Sequence, residues 1–174
     1  LALPIRKLVL NDVGPALSFE GLARIGQYVG KSKPFESVQA AADAMWALSS
    51  GFGPHTPAQW LALSRPMVVA NDGQFVLHYD PTIAKAFESL SQPGAQALVE
   101  QGEAALWAAY DTIRAPTLLL RGASSDLLSA HTAQAMCERG PKAALRVFEG
   151  VGHAPTLIAP DQQSAVLDFL VERA

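Results

Sequence analysis

Three short apolar runs mark the chain, each closed by a turn signal. Lys7 to Asn11 carries Leu8, Val9 and Leu10 and ends at Asp12-Val13-Gly14-Pro15. Leu118-Leu119-Leu120 follows Pro116 and ends at Gly122, and Leu145 to Phe148 ends at Gly150. Continuous apolar residues over so few positions, bounded by glycine or proline, predict strands covered on both faces and therefore parallel. A helical pattern separates the second and third runs. Ser129 can cap it, Ala133, Met136 and Cys137 form its apolar face, and Gly140-Pro141 stops it. A last helix is expected from about Asp161 to Glu172, opened by Pro160, with Val166, Phe169 and Leu170 as its stripe. Strand, helix, strand, helix is a right-handed α/β unit at the edge of a parallel sheet.

Ala16 to about Ile113 follows another pattern, mostly helical and far too long for an ordinary crossover. Leu22, Ile25, Gly26 and Val29 share one helical face, and Val38, Ala41, Met45 and Leu48 a second. Thr56-Pro57-Ala58-Gln59 combines a cap, a proline at the first helical position and a reciprocal glutamine. Asp80-Pro81 predicts a short helix through Phe87, and Ala95 to Tyr110 a long one. Asn71-Asp72-Gly73 predicts a turn, with Gln74 to Leu77 extended after it. Residues 1–15 and 114–174 thus read as parts of one α/β core, and 16–113 as a helical subdomain inserted between two of its strands.

Composition narrows the partners. With 49% apolar and 17% charged residues and a net charge of -3, the chain has the balance of a globular domain and no basic surface for nucleic acid or an anionic membrane. No run approaches the roughly 20 apolar residues of a membrane span, and no signal peptide is visible, so the expected location is cytoplasmic. Cys137 is the single cysteine, expected as a small buried hydrophobe and unable to form an intrachain disulfide. His55, His78 and His131 lack the spacing of a helical metal site and read as surface or packing residues. No metal is expected.

Two loops carry the candidate chemistry. Arg121-Gly122-Ala123-Ser124-Ser125-Asp126 follows the second strand and Val151-Gly152-His153-Ala154 the third. A histidine projecting from a strand end can act as a general base, provided a neighbour fixes its ring. Asp126 is the expected orienting acid, accepting the second ring N–H and stabilising the imidazolium. Asp12, at the end of the first strand and on the same side of the sheet, is the alternative acid. No Gly-x-Ser-x-Gly occurs, and Ser124, Ser125 and Ser129 lack a strand-to-helix elbow.

The order of these pieces resembles the C-terminal portion of the α/β-hydrolase family, in members with a helical cap. Ile5 to Pro15 is similar to the family's sixth strand and the entry to its cap. Pro116 to Gly122 with Ser125-Asp126 is similar to the seventh strand and acid loop, and Gly150-Val151-Gly152-His153-Ala154-Pro155 to the loop bearing the base. The resemblance implies a fold fragment holding the last three parallel strands, with the cap between the first and second of them. It implies a serine nucleophile upstream of Leu1, preceding acid and histidine in the chain. Leu1-Ala2-Leu3-Pro4 runs into a strand with almost no lead-in, as expected of a chain that continues upstream. The missing N-terminal portion, contiguous or separate, would be this chain's partner. The residues here would be inactive and poorly folded alone.

The implied activity is hydrolysis of a carboxylic ester or related acyl bond, with no cofactor. Carbon–carbon bond hydrolase, haloalkane dehalogenase and epoxide hydrolase chemistry share the fold, the last with cap tyrosines for which Tyr28, Tyr79 and Tyr110 are candidates. A non-catalytic ligand-binding relative is a further alternative. Trp46 and Phe52 flank the flexible Ser49-Ser50-Gly51 and are expected to line the cleft between cap and sheet. Their apolar rings favour a small apolar acyl or aromatic substrate.

Overall fold

Strand β4 (Thr117–Gly122) is buried along its whole length. It is the middle of a three-stranded parallel sheet, between β1 (Leu8–Asn11) and β5 (Ala144–Phe148). Leu8 pairs with Thr117, and Leu118 with Ala144. The computed structural model describes residues 5–171. The lead-in Leu1–Pro4 and the helix end expected at Glu172 lie outside these residues.

The central place of β4 explains its unbroken leucines. Leu119 faces one layer, with Leu128, Ala133, Met136 and Tyr110. Leu118 and Leu120 face the other, with Phe148, Val151, Val166 and Phe169. A strand with both faces covered has no polar side. Helix α6 (Ala130–Glu138) supplies the first layer, its start capped by Ser129, whose hydroxyl accepts from the Thr132 N–H. The last helix, α7 (Pro160–Val171), covers the second. This is the expected α/β class, with two departures in detail. Leu170 is exposed, because the helix turns Gln162, Ala165, Val166 and Phe169 inward. Cys137 is only half-buried, with its thiol directed to the Ala133 carbonyl and burial pushing its pKa up.

Between β1 and β4 the chain forms α1 (Phe19–Gly26), α2 (Val38–Ser49), α3 (Pro57–Ser64), β2 (Val68–Asn71), β3 (Gln74–Leu77), α4 (Ala84–Glu88) and α5 (Ala95–Asp111). Thr56 and Gln59 form the reciprocal capping box that their spacing predicts. Asp80 caps the turn into α4 by accepting from the Thr82 N–H. The extended piece at Gln74 is half of an antiparallel hairpin, with Val69 opposite Val76. Its turn places Asp72 at φ 46° and Gly73 at φ 78°, the two left-handed residues that a tight hairpin needs. Leu48 is exposed, and α2 instead buries Ala41 and Ala42. Helix α5 returns the chain to the core, where the buried Tyr110 hydroxyl donates to the Met136 carbonyl. Among the described residues no helix is long and apolar enough to cross a membrane.

Candidate active site

Parallel strands deliver their C-terminal loops to one edge of a sheet. Here the ends of β1, β4 and β5 bring Asp12, Gly122 and His153 together. Asp12 has φ 56°, a left-handed conformation that aspartate tolerates better than most residues. In a regular strand Asn11 and Asp12 would point to opposite faces. The turn at Asp12 breaks that alternation, and both side chains reach the loop after β5.

The Asp12 side chain is fully buried. Its Oδ1 accepts the Gly122 N–H at 3.2 Å, and its Oδ2 lies 2.8 Å from His153 Nδ1. An ionised carboxylate only accepts, so Nδ1 carries the hydrogen and Nε2 is left with its lone pair. Nε2 makes no hydrogen bond among the described residues, and the ring is about one-fifth exposed. This is the arrangement of a general base, with its tautomer fixed and its second nitrogen open. Asn11 holds the same loop from the strand side, its Nδ2 donating to the Pro155 carbonyl at 2.9 Å. Its Oδ1 is shut off from solvent without a partner among the described residues.

Two glycines let the loops meet. A Cβ on Gly122 would lie 2.2 Å from the Gly152 carbonyl oxygen, and one on Gly152 would lie 2.7 Å from that of Gly51. The Ser124 N–H completes the junction by donating to the Val151 carbonyl at 2.9 Å.

Asp126, the expected orienting acid, does not hold His153. Its carboxylate is gripped by the Arg24 guanidinium, with Nε to Oδ2 at 2.5 Å and Nη2 to Oδ1 at 2.9 Å. Those hydrogen bonds hold the Asp126 pKa below the usual carboxylate value, against partial desolvation. Asp126 makes no hydrogen bond to the histidine, whose Nδ1 faces Asp12 instead. The physical reason is competition: a planar guanidinium offers two parallel N–H donors that an imidazole cannot match. Helix α1 carries Arg24, and a Cβ on its Gly21 would lie 2.6 Å from the Asp126 carbonyl oxygen, so the helix seats closely on the loop.

Residues between β1 and β4 also reach the loop after β5. Ser50 to Phe52 is a single 3₁₀ turn, and Gly51 accepts the Gly152 N–H at 2.6 Å. The expected flexible break is thus pinned to the base loop. Trp46, His55 and Phe52 surround the buried Trp60 edge-on, with ring centroids 5.0, 5.6 and 6.3 Å from it. Phe52 also lines a cavity of about 130 Å³, with His55, Val151 and Thr156. Trp46 packs inside the aromatic cluster and does not line that cavity.

His55 is more than a packing residue. Its Nδ1 is 2.8 Å from the Gly53 carbonyl and its Nε2 is 2.7 Å from the Thr156 hydroxyl. His131 and His78 are exposed. The three tyrosines each have a structural partner: Tyr28 accepts from Arg24, Tyr79 from the Gly30 N–H, and Tyr110 donates to Met136. No group of residues among those described could hold a metal ion. Arg24, Asn11 and His55 carry no motif of their own, and only their partners across the fold distinguish them.

The model of the alpha/beta hydrolase family matches residues 2–168. The chain is 41% identical over 170 residues to the 3-hydroxybutyrate-oligomer hydrolase of Cupriavidus necator, covering 95% of this chain and 57% of that protein. The crystal structure of an alpha/beta hydrolase from Novosphingobium aromaticivorans is 36% identical, with a TM-score of 0.72, over 95% of this chain and 56% of that one. E-2-(acetamidomethylene)succinate hydrolase shares the fold at 21% identity and a TM-score of 0.72, over 97% of this chain and 58% of that one. The chain spans a little over half the length of each of these relatives.

Proposed function

The chain belongs to the α/β-hydrolase family, and we propose that the complete protein hydrolyses a carboxylic ester, with His153 as base and Asp12 as its orienting acid. The observation that carries this reading is the 2.8 Å contact between His153 Nδ1 and the buried Asp12 carboxylate. Residues 16–113 act as the cap over the site. The nucleophile is a serine outside these 174 residues, on the strand-to-helix elbow that such hydrolases use. The curated relative's name supports a short hydroxyacyl ester as the substrate class, and the ring of Phe52 at the cavity suits its apolar part.

The chemistry follows from the tautomer. His153 Nε2 takes the serine proton as the oxygen attacks the ester carbonyl, and the resulting imidazolium is stabilised by Asp12. His153 then gives that proton to the departing alkoxide, leaving an acyl-enzyme. It next takes a proton from water as the water attacks, and returns it to the serine when the acid is released. Asp12 remains ionised throughout. Tyr28, Tyr79 and Tyr110 are engaged elsewhere, which gives epoxide opening no support.

Asp12→Asn and Asp126→Asn in the complete protein test the assignment. Asparagine also tolerates the left-handed conformation, so Asp12→Asn changes the charge and the tautomer more than the backbone. Asp12→Asn is expected to lower kcat on a short-chain nitrophenyl ester by about 10⁴, as for an orienting acid. Asp126→Asn should cost less than about tenfold, since its effect reaches the base only through α1 docking. The reverse ranking would return the acid to the loop after β4.

A further inference from the structure

The base loop is held from two sides, and only one of them belongs to the triad. From the sheet come Asp12 and Asn11. From the inserted segment come the Gly51 carbonyl on the Gly152 N–H and His55 on the Thr156 hydroxyl. These last two contacts bracket His153, one residue before it and three after it.

The hydrogen-bonding state of His55 is fixed by its partners. The Gly53 carbonyl only accepts, so Nδ1 donates to it, and in the neutral ring Nε2 accepts the Thr156 O–H. Both ring nitrogens are satisfied, and Trp46 and Trp60 stand edge-on to the ring at 6.1 and 5.6 Å. The same ring and the same threonine line the cavity that Phe52 also lines. Glu149 and Asp161 are the charged groups at that cavity, and neither is bonded to His55.

We propose that His55 is a positioning residue for the reaction: through Thr156 it couples the aromatic cluster of the inserted segment to the loop that carries His153. This rests on the proposed role of His153 as base. The consequence is specific. Losing the His55–Thr156 bond leaves Asp12 and His153 chemically intact but frees the loop on one side. The imidazole then samples orientations away from the nucleophile, and a displacement of about 1 Å can cost up to about 100-fold in rate. Turnover should suffer, with substrate binding nearly unchanged.

Three variants of the complete protein separate this from simple packing. His55→Phe keeps a ring between Trp46 and Trp60 and removes both hydrogen bonds. Thr156→Val removes the hydroxyl at nearly constant shape, and Thr156→Ser restores it. His55→Phe and Thr156→Val are each expected to lower kcat by about 10- to 100-fold with KM within about twofold. Their double variant should be no worse than His55→Phe alone, because both remove one interaction. Thr156→Ser should recover most of the rate. Additive losses, a failure of serine to rescue, or a fall in melting temperature with kcat per folded molecule unchanged would each overturn the proposal. A second readout does not need turnover. The His153 Nδ1–H proton resonance should broaden or exchange faster in His55→Phe and Thr156→Val, and stay sharp in Thr156→Ser. Its indifference to all three variants would sink the coupling even in a fully active enzyme. If instead the wild-type protein hydrolyses no ester and takes up no fluorophosphonate, the proposed reaction fails, and the resonance still decides the coupling.

Discussion

Asp12 and Asp126 occupy equivalent kinds of place, each just beyond a parallel strand, and only Asp12 bonds His153. What separates them is backbone direction and competition. The φ of 56° at Asp12 turns its carboxylate to Nδ1, while Arg24, 102 positions upstream of Asp126, occupies the other acid. Neither fact is written in the local sequence. A Gly-x-x-x-Asp spacing reads the same whether its carboxylate is free or clamped, and a left-handed aspartate has no signature apart from the turn residues around it. His153 stands out for the opposite reason: a histidine following Gly152 at a strand end has few structural uses. His153→Ala in the complete protein should lower kcat by at least about 10⁴, because the members of a triad act as a unit. The ring is partly exposed and makes one hydrogen bond, so melting should shift by no more than about 5 °C, the scale of a 1–2 kcal/mol change. Differential scanning calorimetry beside steady-state kinetics checks both halves.

Elements were legible where local chemistry decides them. The capping box at Thr56 and Gln59, the serine cap of α6 and the proline start of α7 are satisfied within a few residues of chain, so spacing alone found them. Val68–Asn71 was not legible as a strand, because β2 is defined by its partner β3 and carries no alternation of its own. Leu48 and Leu170 fitted helical stripes yet are exposed, since the face a helix buries is chosen by what lies opposite. The docking of α1 is also long-range. It depends on Arg24 and Asp126, and the lowered pKa of Asp126 gives that contact a pH window. A carboxyl group whose folded pKa is depressed contributes stability above its unfolded value, near 3.9, and loses it as pH falls through the folded value. Both side chains are at least one-third exposed, so the contribution should not exceed about 1 kcal/mol and should shrink in salt. Asp126→Asn should therefore speed amide exchange in α1 at pH 7, with wild type and variant converging well below pH 4. A difference that persisted at pH 2 would assign the docking to the close seat of Gly21 instead.

At the scale of the whole molecule, the sheet has β4 enclosed and two edges. Among the described residues β1 pairs with β4 on one side only, and each residue of β1 is only half-buried despite an apolar sequence. On the far side of the sheet Leu118, Ala144, Ala165 and Phe169 line an open groove of about 560 Å³. Val147, Leu167 and Val171 lie exposed on β5 and α7. An apolar strand with one edge unpaired among the described residues is a surface that recruits other chains, and so is an open, partly apolar groove. The site has the same asymmetry: a histidine held by a buried carboxylate, its Nε2 unbonded among the described residues, and no Gly-x-Ser-x-Gly in the sequence. Residues 1–174 expressed alone should therefore hydrolyse no ester. They should self-associate or melt without a cooperative transition, since groups left unpaired in a buried edge cost about 1 to 3 kcal/mol each against a total stability of roughly 5 to 15. Supplying the remainder of the protein as a separate polypeptide should restore a discrete species and fluorophosphonate labelling on the added chain. Light scattering, calorimetry and labelling of the segment alone and of the mixture make the comparison. A monomer with a sharp melt would show that three strands and their helices suffice as a folding unit. Ester turnover by that monomer, abolished by His153→Ala, would place a nucleophile within these residues and overturn the proposed division of the triad.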